Sequence, residues 1–258
     1  MTERIPHGAP GGIVGEQLRA FLTAVAFLTC LPRPAWVGAG ADDLTRSAVY
    51  FPLVGLLIGV WSGGVFWLAA QGWPPFTALA LTIASTAWLT GAVQEGALAR
   101  VFDGGGPTAI VARVNAGDIG SSGVVAVALL LLLKLGALLT VGDVVRALIA
   151  GQVLSRWSSL PLAYLCRDVG GPATAGTAPV VRASALGLAV GSTLAAGIAA
   201  AALGARVLPV LAVAVALTAL GGAYFKWRLG GVTAGRLGAV NQLVEVAVYL
   251  ALAFQLRD

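Results

Sequence analysis

Residues 94–122 gather Glu95, Asp103 and Asp118 with Arg100 and Arg113, three of the chain's eleven acidic residues beside two arginines. That mixture suits a magnesium-bound phosphate. Magnesium takes one or two carboxylates and completes its shell with phosphate oxygens and water, and a guanidinium forks onto phosphate. The run Gly104-Gly105-Gly106 allows close backbone approach, but no helix-start signature follows it to fix an anion. A plain solvated loop has the same composition. Three more charges interrupt apolar runs. Lys134 follows Leu129-Leu130-Leu131-Leu132-Leu133, and by the helical rise Lys134, Arg156 and Glu245 sit roughly 16, 14 and 10 Å from the cytoplasmic ends of their segments. A lone charge at mid-membrane costs on the order of 3 kcal/mol. Each should therefore face protein or water, and Glu245 is expected to pair with Lys134 or Arg156. A buried ion pair that fixes helix register and a polar floor beneath functional loops both fit that expectation. Asn241, four residues before Glu245, shares its helical side and is expected to add a polar contact.

The elements that must position these groups are apolar helices. With 58% hydrophobic and 10% charged residues among 258, the chain is no ordinary soluble domain and should cross a bilayer several times. Seven candidate spans, at about 48–70, 76–93, 123–141, 145–165, 183–203, 207–225 and 238–256, each approach the roughly 20 residues a crossing needs. Threaded alternately, they place eleven basic residues on the side of the N-terminus and two, Arg206 and Arg257, opposite. By the positive-inside rule the N-terminus and the motif-bearing loops then face the cytoplasm. The expected fold is all-α: a polytopic transmembrane helical bundle of about seven spans in the cytoplasmic (inner) membrane. It forms a single integral membrane domain over 1–258, with a short tail and an interfacial segment at about 1–47.

Several function classes are disfavoured. The pI near 9.8 comes from charges scattered over membrane-flanking loops, without the aromatic-laced stripe of a nucleic-acid site. Cys30 and Cys166 lie far apart and indicate structural thiols. His7, the sole histidine, sits in a Gly/Pro-rich tail, which argues against histidine-based zinc sites and Ser-His catalysis. Phe21 to Leu31 has the length of a signal-peptide core, but the acidic, proline-containing residues before it suit an interfacial or partly buried helix better. Small residues one turn apart, as in Gly55-Leu56-Leu57-Ile58-Gly59 and Gly187 to Gly191, allow helices to approach closely in lipid.

Three pieces of the chain resemble the cobalamin synthase (adenosylcobinamide-GDP ribazoletransferase) family. They are Phe27-Leu28-Thr29-Cys30-Leu31-Pro32-Arg33-Pro34, Tyr50-Phe51-Pro52-Leu53-Val54-Gly55-Leu56-Leu57-Ile58-Gly59, and Arg228-Leu229-Gly230-Gly231-Val232-Thr233 with Leu237-Gly238-Ala239 and Asn241. The resemblance continues through Thr90-Gly91-Ala92, Leu98-Ala99, Asp103-Gly104, Ile119-Gly120, Gly123-Val124, the leucine run with Lys134, and Ser155-Arg156-Trp157. It implies a polytopic membrane enzyme and a magnesium-dependent reaction of the last steps of cobalamin assembly. In that reaction the 5′ oxygen of α-ribazole attacks adenosylcobinamide-GDP, releasing GMP and leaving a phosphodiester. Association with other cobalamin-assembly enzymes is a further expectation, and nucleic acid is not an expected partner.

The chain departs from the family pattern at acidic positions. In the run of histidine, acid, Asp-Gly-Leu-Ala-Asp-x-x-Asp-Gly it carries Gln94, Glu95, Gly96 and Arg100, so Glu95 and Asp103 are the carboxylates left. Ala116-Gly117-Asp118 replaces Asp-Ser-Arg, Ala234-Gly235 follows Thr233 where Gly-Asp is usual, and Gln242 stands where glutamate is common. The expected site has Glu95 and Asp103 as catalytic carboxylates, Glu95, Asp103 and Asp118 holding magnesium, Arg100, Arg113 and Asn241 binding substrate, and Lys134, Arg156 and Glu245 as an intramembrane polar cluster. Other readings are a diverged paralogue that binds a corrinoid or nucleotide without turnover, and a transporter built on the intramembrane charges. A CDP-alcohol phosphotransferase, suggested by Glu95-Gly96-Ala97-Leu98-Ala99-Arg100, fails because the spaced aspartates that should follow are absent.

Overall fold

A computed structural model describes residues 12–38, 40–103, 120–166 and 182–254. Arg113, Asp118 and the Gly104–Gly106 run lie outside the described residues. The helices are α1 (Gly12–Leu28), α2 (Ala41–Ser47), α3 (Phe51–Ala69), α4 (Pro75–Thr90), α5 (Val93–Asp103), α6 (Ser121–Thr140), α7 (Val144–Leu165), α8 (Ala185–Leu203), α9 (Val207–Leu229) and α10 (Ala234–Phe254). Their ends follow local chemistry. Pro75 begins α4, where its missing N–H costs nothing. Asp143 and Ser184 accept from the amides of Arg146 and Gly187 at the starts of α7 and α8. Gly230, at φ 74°, closes α9.

The centre of the molecule is α7, fourteen of whose 22 residues are buried. It runs antiparallel to α3 along a glycine ladder. A Cβ at Gly55 would lie 2.6 Å from Gln152 O, one at Gly59 2.7 Å from Ile149 Cα, and one at Gly63 2.9 Å from Val145 Cγ1. The glycine spacing read from the sequence thus becomes backbone-to-backbone packing. On another side α10 runs antiparallel to α7, with Asn241 beside Ser158 and Ser159, and Glu245 bonded to Gln152. Helices α8 and α9 embrace α7 as a hairpin. A Cβ at Gly191 would lie 2.5 Å from Leu160 Cδ1 and one at Gly222 2.7 Å from Leu162 Cδ2. On a straight helix those two glycines would stand roughly 46 Å apart, so the chain turns back between them, at Gly204 (φ 58°).

All seven expected helices form, with ends displaced by a few residues. Four stretches among the described residues are long and apolar enough to cross a membrane: Asp42–Ala69, Ser121–Thr140, Ala185–Arg228 and Gly235–Phe254. A fifth arises if α4 and α5, bent by 88°, are taken as one broken span. Helix α7 is not among them, because buried Gln152, Ser155, Arg156, Ser158 and Ser159 lower its hydropathy; enclosed by other helices, it keeps those groups away from lipid.

Two segments differ from the sequence expectation. The region after residue 93, expected as loop, opens with helix α5, where Gln94, Ala97 and Leu98 are buried while Arg100 is exposed. It is helical because that short stripe packs on α10 and α6, a tertiary contact invisible to a hydropathy window. The interfacial segment is also longer than Phe21–Leu31. As α1 it starts at Gly12, exposes Ile13 and Val14, and buries Ala24 and Leu28, with Phe27 stacked on Phe51 at 5.7 Å.

Candidate active site

The site is built where α5 enters the bundle. Two successive left-handed residues, Gly91 (φ 64°) and Ala92 (φ 50°), end α4 and swing the chain into α5. A positive φ at alanine is uncommon and marks an elbow that the surroundings hold in place. The two carboxylates of α5 then face different partners. Asp103 Oδ2 accepts the Gly120 amide at 2.6 Å and Oδ1 the Gly123 amide at 2.7 Å, so this side chain caps α6. Glu95 turns inward, where its Oε1 accepts from Gln242 Nε2 at 3.0 Å and lies 4.0 Å from Lys134 Nζ. Its Oε2 is buried without a hydrogen-bond partner.

Beneath Glu95 lies the intramembrane cluster. Glu245, 2% exposed, receives Lys134 Nζ at 2.9 Å and faces Arg156 NH1 at 3.6 Å, so it pairs with both cations named as its candidates. Gln152 Nε2 and Tyr249 OH donate to Glu245 Oε1 at 2.8 and 3.1 Å, and Lys134 Nζ also donates to Gln242 Oε1 at 2.9 Å. Two cations thus balance the carboxylates of Glu95 and Glu245. The hydrogen bonds matter as much as the charges, since an ion pair leaves water at a cost that Coulomb attraction alone need not recover. A polar crevice of about 10 Å³, near the size of one water, is lined by Thr82, Thr86, Thr90, Glu95, Arg156 and Glu245 among others. Gln152 Oε1 and Arg156 Nε, like Glu95 Oε2, are buried there without partners.

Asn241 points at α7 instead. With its amide nitrogen toward carbonyls, it donates to Leu237 O at 3.0 Å and Ser155 O at 2.9 Å while its oxygen accepts from Ser159 Oγ at 3.1 Å. Arg100 stands on the exposed side of α5. Among the described residues no three His, Cys, Asp or Glu side chains converge on one point. The orphaned Glu95 Oε2 is nevertheless the kind of acid oxygen that a hard cation shared with phosphate takes up. Gln152 and Tyr249 escaped sequence reasoning, as did the stripe Thr82, Thr86, Thr90. Their signal was a polar residue recurring every four positions, on α7 with Arg156, on α10 with Glu245, and along α4 itself.

Fold and site together define a polytopic all-helical membrane protein with a charge-balanced network buried beneath a carboxylate-bearing elbow helix. Residues 20–253 match the model of the cobalamin-5-phosphate synthase family. The chain is 37% identical to an adenosylcobinamide-GDP ribazoletransferase of Leptothrix cholodnii, over 91% of this chain and 95% of that protein. It is 32% identical to the one of Shewanella frigidimarina and 34% to that of Ralstonia nicotianae, each over 92% of this chain and 95% of the relative. No solved structure matches it. The chain belongs to the cobalamin-5-phosphate synthase family.

Proposed function

We propose that this chain transfers the phospho-cobinamide group of adenosylcobinamide-GDP to α-ribazole, giving adenosylcobalamin and GMP. The family match along residues 20–253 carries the reading. In this reaction the 5′ oxygen of α-ribazole forms a bond to the cobinamide-side phosphorus. The bond from that phosphorus to the bridging oxygen breaks, GMP leaves with that oxygen, and the 5′ hydroxyl proton passes to a base. Such chemistry depends on in-line positioning and neutralised charge more than on covalent help from protein.

Glu95 supports the reading, since its Oε2 is buried and unpartnered at the top of the network. We assign Glu95 and Asp103 as the reaction's carboxylates, with Asp118 completing a magnesium site and Arg100 and Arg113 taking phosphate oxygens. Asn241 serves the same face through the serine cluster of α7. Magnesium supplies electrostatic neutralisation of the phosphate oxygens when bound. Glu95 can also accept the hydroxyl proton, and the Lys134 and Arg156 network keeps its carboxylate anchored within the membrane. We further infer seven crossings of the inner membrane, with α7 the polar central one and α8 and α9 separate. The N-terminus and α5 then lie on the cytoplasmic side with most basic residues, where other cobalamin-assembly enzymes can deliver substrate.

The test is GMP release by the full chain in lipid, given adenosylcobinamide-GDP, α-ribazole and magnesium. Glu95→Ala should lower turnover by about a hundredfold or more while the protein unfolds near the wild-type temperature. Folded wild-type protein that binds a corrinoid or nucleotide but releases no GMP would replace the transferase reading with a binding one.

A further inference from the structure

Gln242 on α10 meets three buried side chains at once. Its Oε1 accepts from Lys134 Nζ at 2.9 Å, and its Nε2 donates to Glu95 Oε1 at 3.0 Å and to Gln94 Oε1 at 3.4 Å. It is itself 2% exposed. A carboxamide can accept from an ammonium and donate to a carboxylate together, whereas an ionised carboxylate only accepts, and lysine or arginine only donates. The consequence reaches both acids. Lys134 lies 2.9 Å from Glu245 Oε1 but 4.0 Å from Glu95 Oε1, so the amide stands in for lysine at Glu95. Glu95 is thereby held by one oxygen, and its Oε2 is left buried and unpartnered.

We propose that Gln242 is a positioning residue for the transfer reaction: its amide directs Lys134 onto Glu245 and fixes Glu95 by Oε1 alone, leaving Oε2 for the reacting groups. This rests on the reading of Glu95 as a reaction carboxylate. Replacement by leucine removes all three bonds. Replacement by glutamate sets three carboxylates around two cations and removes the donor to Glu95. The double exchange Glu95→Gln with Gln242→Glu rebuilds the chain of hydrogen bonds in reverse, amide at 95 donating to carboxylate at 242, with the network charge unchanged.

The experiment measures kcat, KM and thermal unfolding of the full chain in lipid for Q242L, Q242E, E95Q and E95Q/Q242E. Expected is a fall in kcat of about tenfold or more in Q242L and Q242E, the scale of a lost buried hydrogen bond. KM for adenosylcobinamide-GDP should stay within about twofold, since the lost interaction acts on turnover. E95Q/Q242E should recover unfolding temperature relative to Q242E while its turnover stays as low as that of E95Q. Wild-type kcat in Q242L or Q242E would overturn the proposal. So would recovery of both stability and turnover in the double exchange, because the amide would then be structural and the carboxylate at 95 dispensable. Absence of GMP release from folded wild-type protein would instead overturn the transferase reading, and this proposal with it.

Discussion

Helix α7 has two unlike faces. Toward α3 it meets Gly55, Gly59 and Gly63, where even a methyl group would collide with backbone or a β-branched side chain. Toward α10 it offers Gln152, Ser155, Arg156, Ser158 and Ser159 to Glu245 and Asn241. The glycine face works by close dispersion contact, which lipid tails cannot replace equally well. The polar face works as a set, because each charge in it is tolerable only while its partners remain. One face therefore admits no addition, and the other admits no deletion.

Four substitutions, two of them with a companion variant, test that contrast in falling order of effect on stability. Glu245→Ala leaves Lys134 and Arg156 buried without their shared carboxylate and should destabilise by about 3–5 kcal/mol, read by thermal or denaturant unfolding in detergent. A loss under about 1 kcal/mol would mean that water or lipid headgroups solvate the cluster. Gly59→Val pushes two methyl groups at Ile149 Cα and should cost about 1–3 kcal/mol, with Ser62→Ala on the same helix as a milder control. Equal stability to wild type would show that α3 can slide away from α7. Asp103→Ala removes the cap on Gly120 and Gly123 and should cost about 1–2 kcal/mol. Asp103→Ala should also lower turnover, whereas Glu95→Ala should cost mainly turnover, so the pair separates the two acids of α5 by whether stability moves as well. Arg146→Ala breaks an exposed pair with Asp143, 3.1 Å apart, and should stay within about 0.5 kcal/mol. A larger effect would place that end of α7 in a less aqueous setting than its exposure implies.

The two faces were not equally legible beforehand. Gly55 and Gly59 announce close packing by spacing, because one turn of helix places them on one side whatever lies opposite. Lys134, Arg156 and Glu245 announce burial by type, because charge in an apolar run must face protein or water. The pairing of Glu245 was narrowed to two cations and turned out to include both. What the run of residues 94–122 conceals is that its carboxylates part company, Glu95 joining the membrane network and Asp103 capping α6. Glu95 and Asp103 stand eight positions apart, so sequence proximity says little about which direction each faces once α5 is helical.

Residue types and their spacing are enough to establish an all-helical membrane protein, where its long helices run, and that three charges must be buried within it. Those outcomes follow from local quantities: hydropathy over a crossing length, helical period, and the cost of a lone charge in hydrocarbon. Tertiary structure alone decided that α7 is central and that the chain folds back at Gly204. It also decided that Gln152, Gln242 and Tyr249 complete the network and that Glu95 keeps one oxygen free. Each of these depends on which helix faces which. Neutral glutamines give hydropathy no sign of a partner contributed from about a hundred residues away, and only packing brings the donor and the acceptor together.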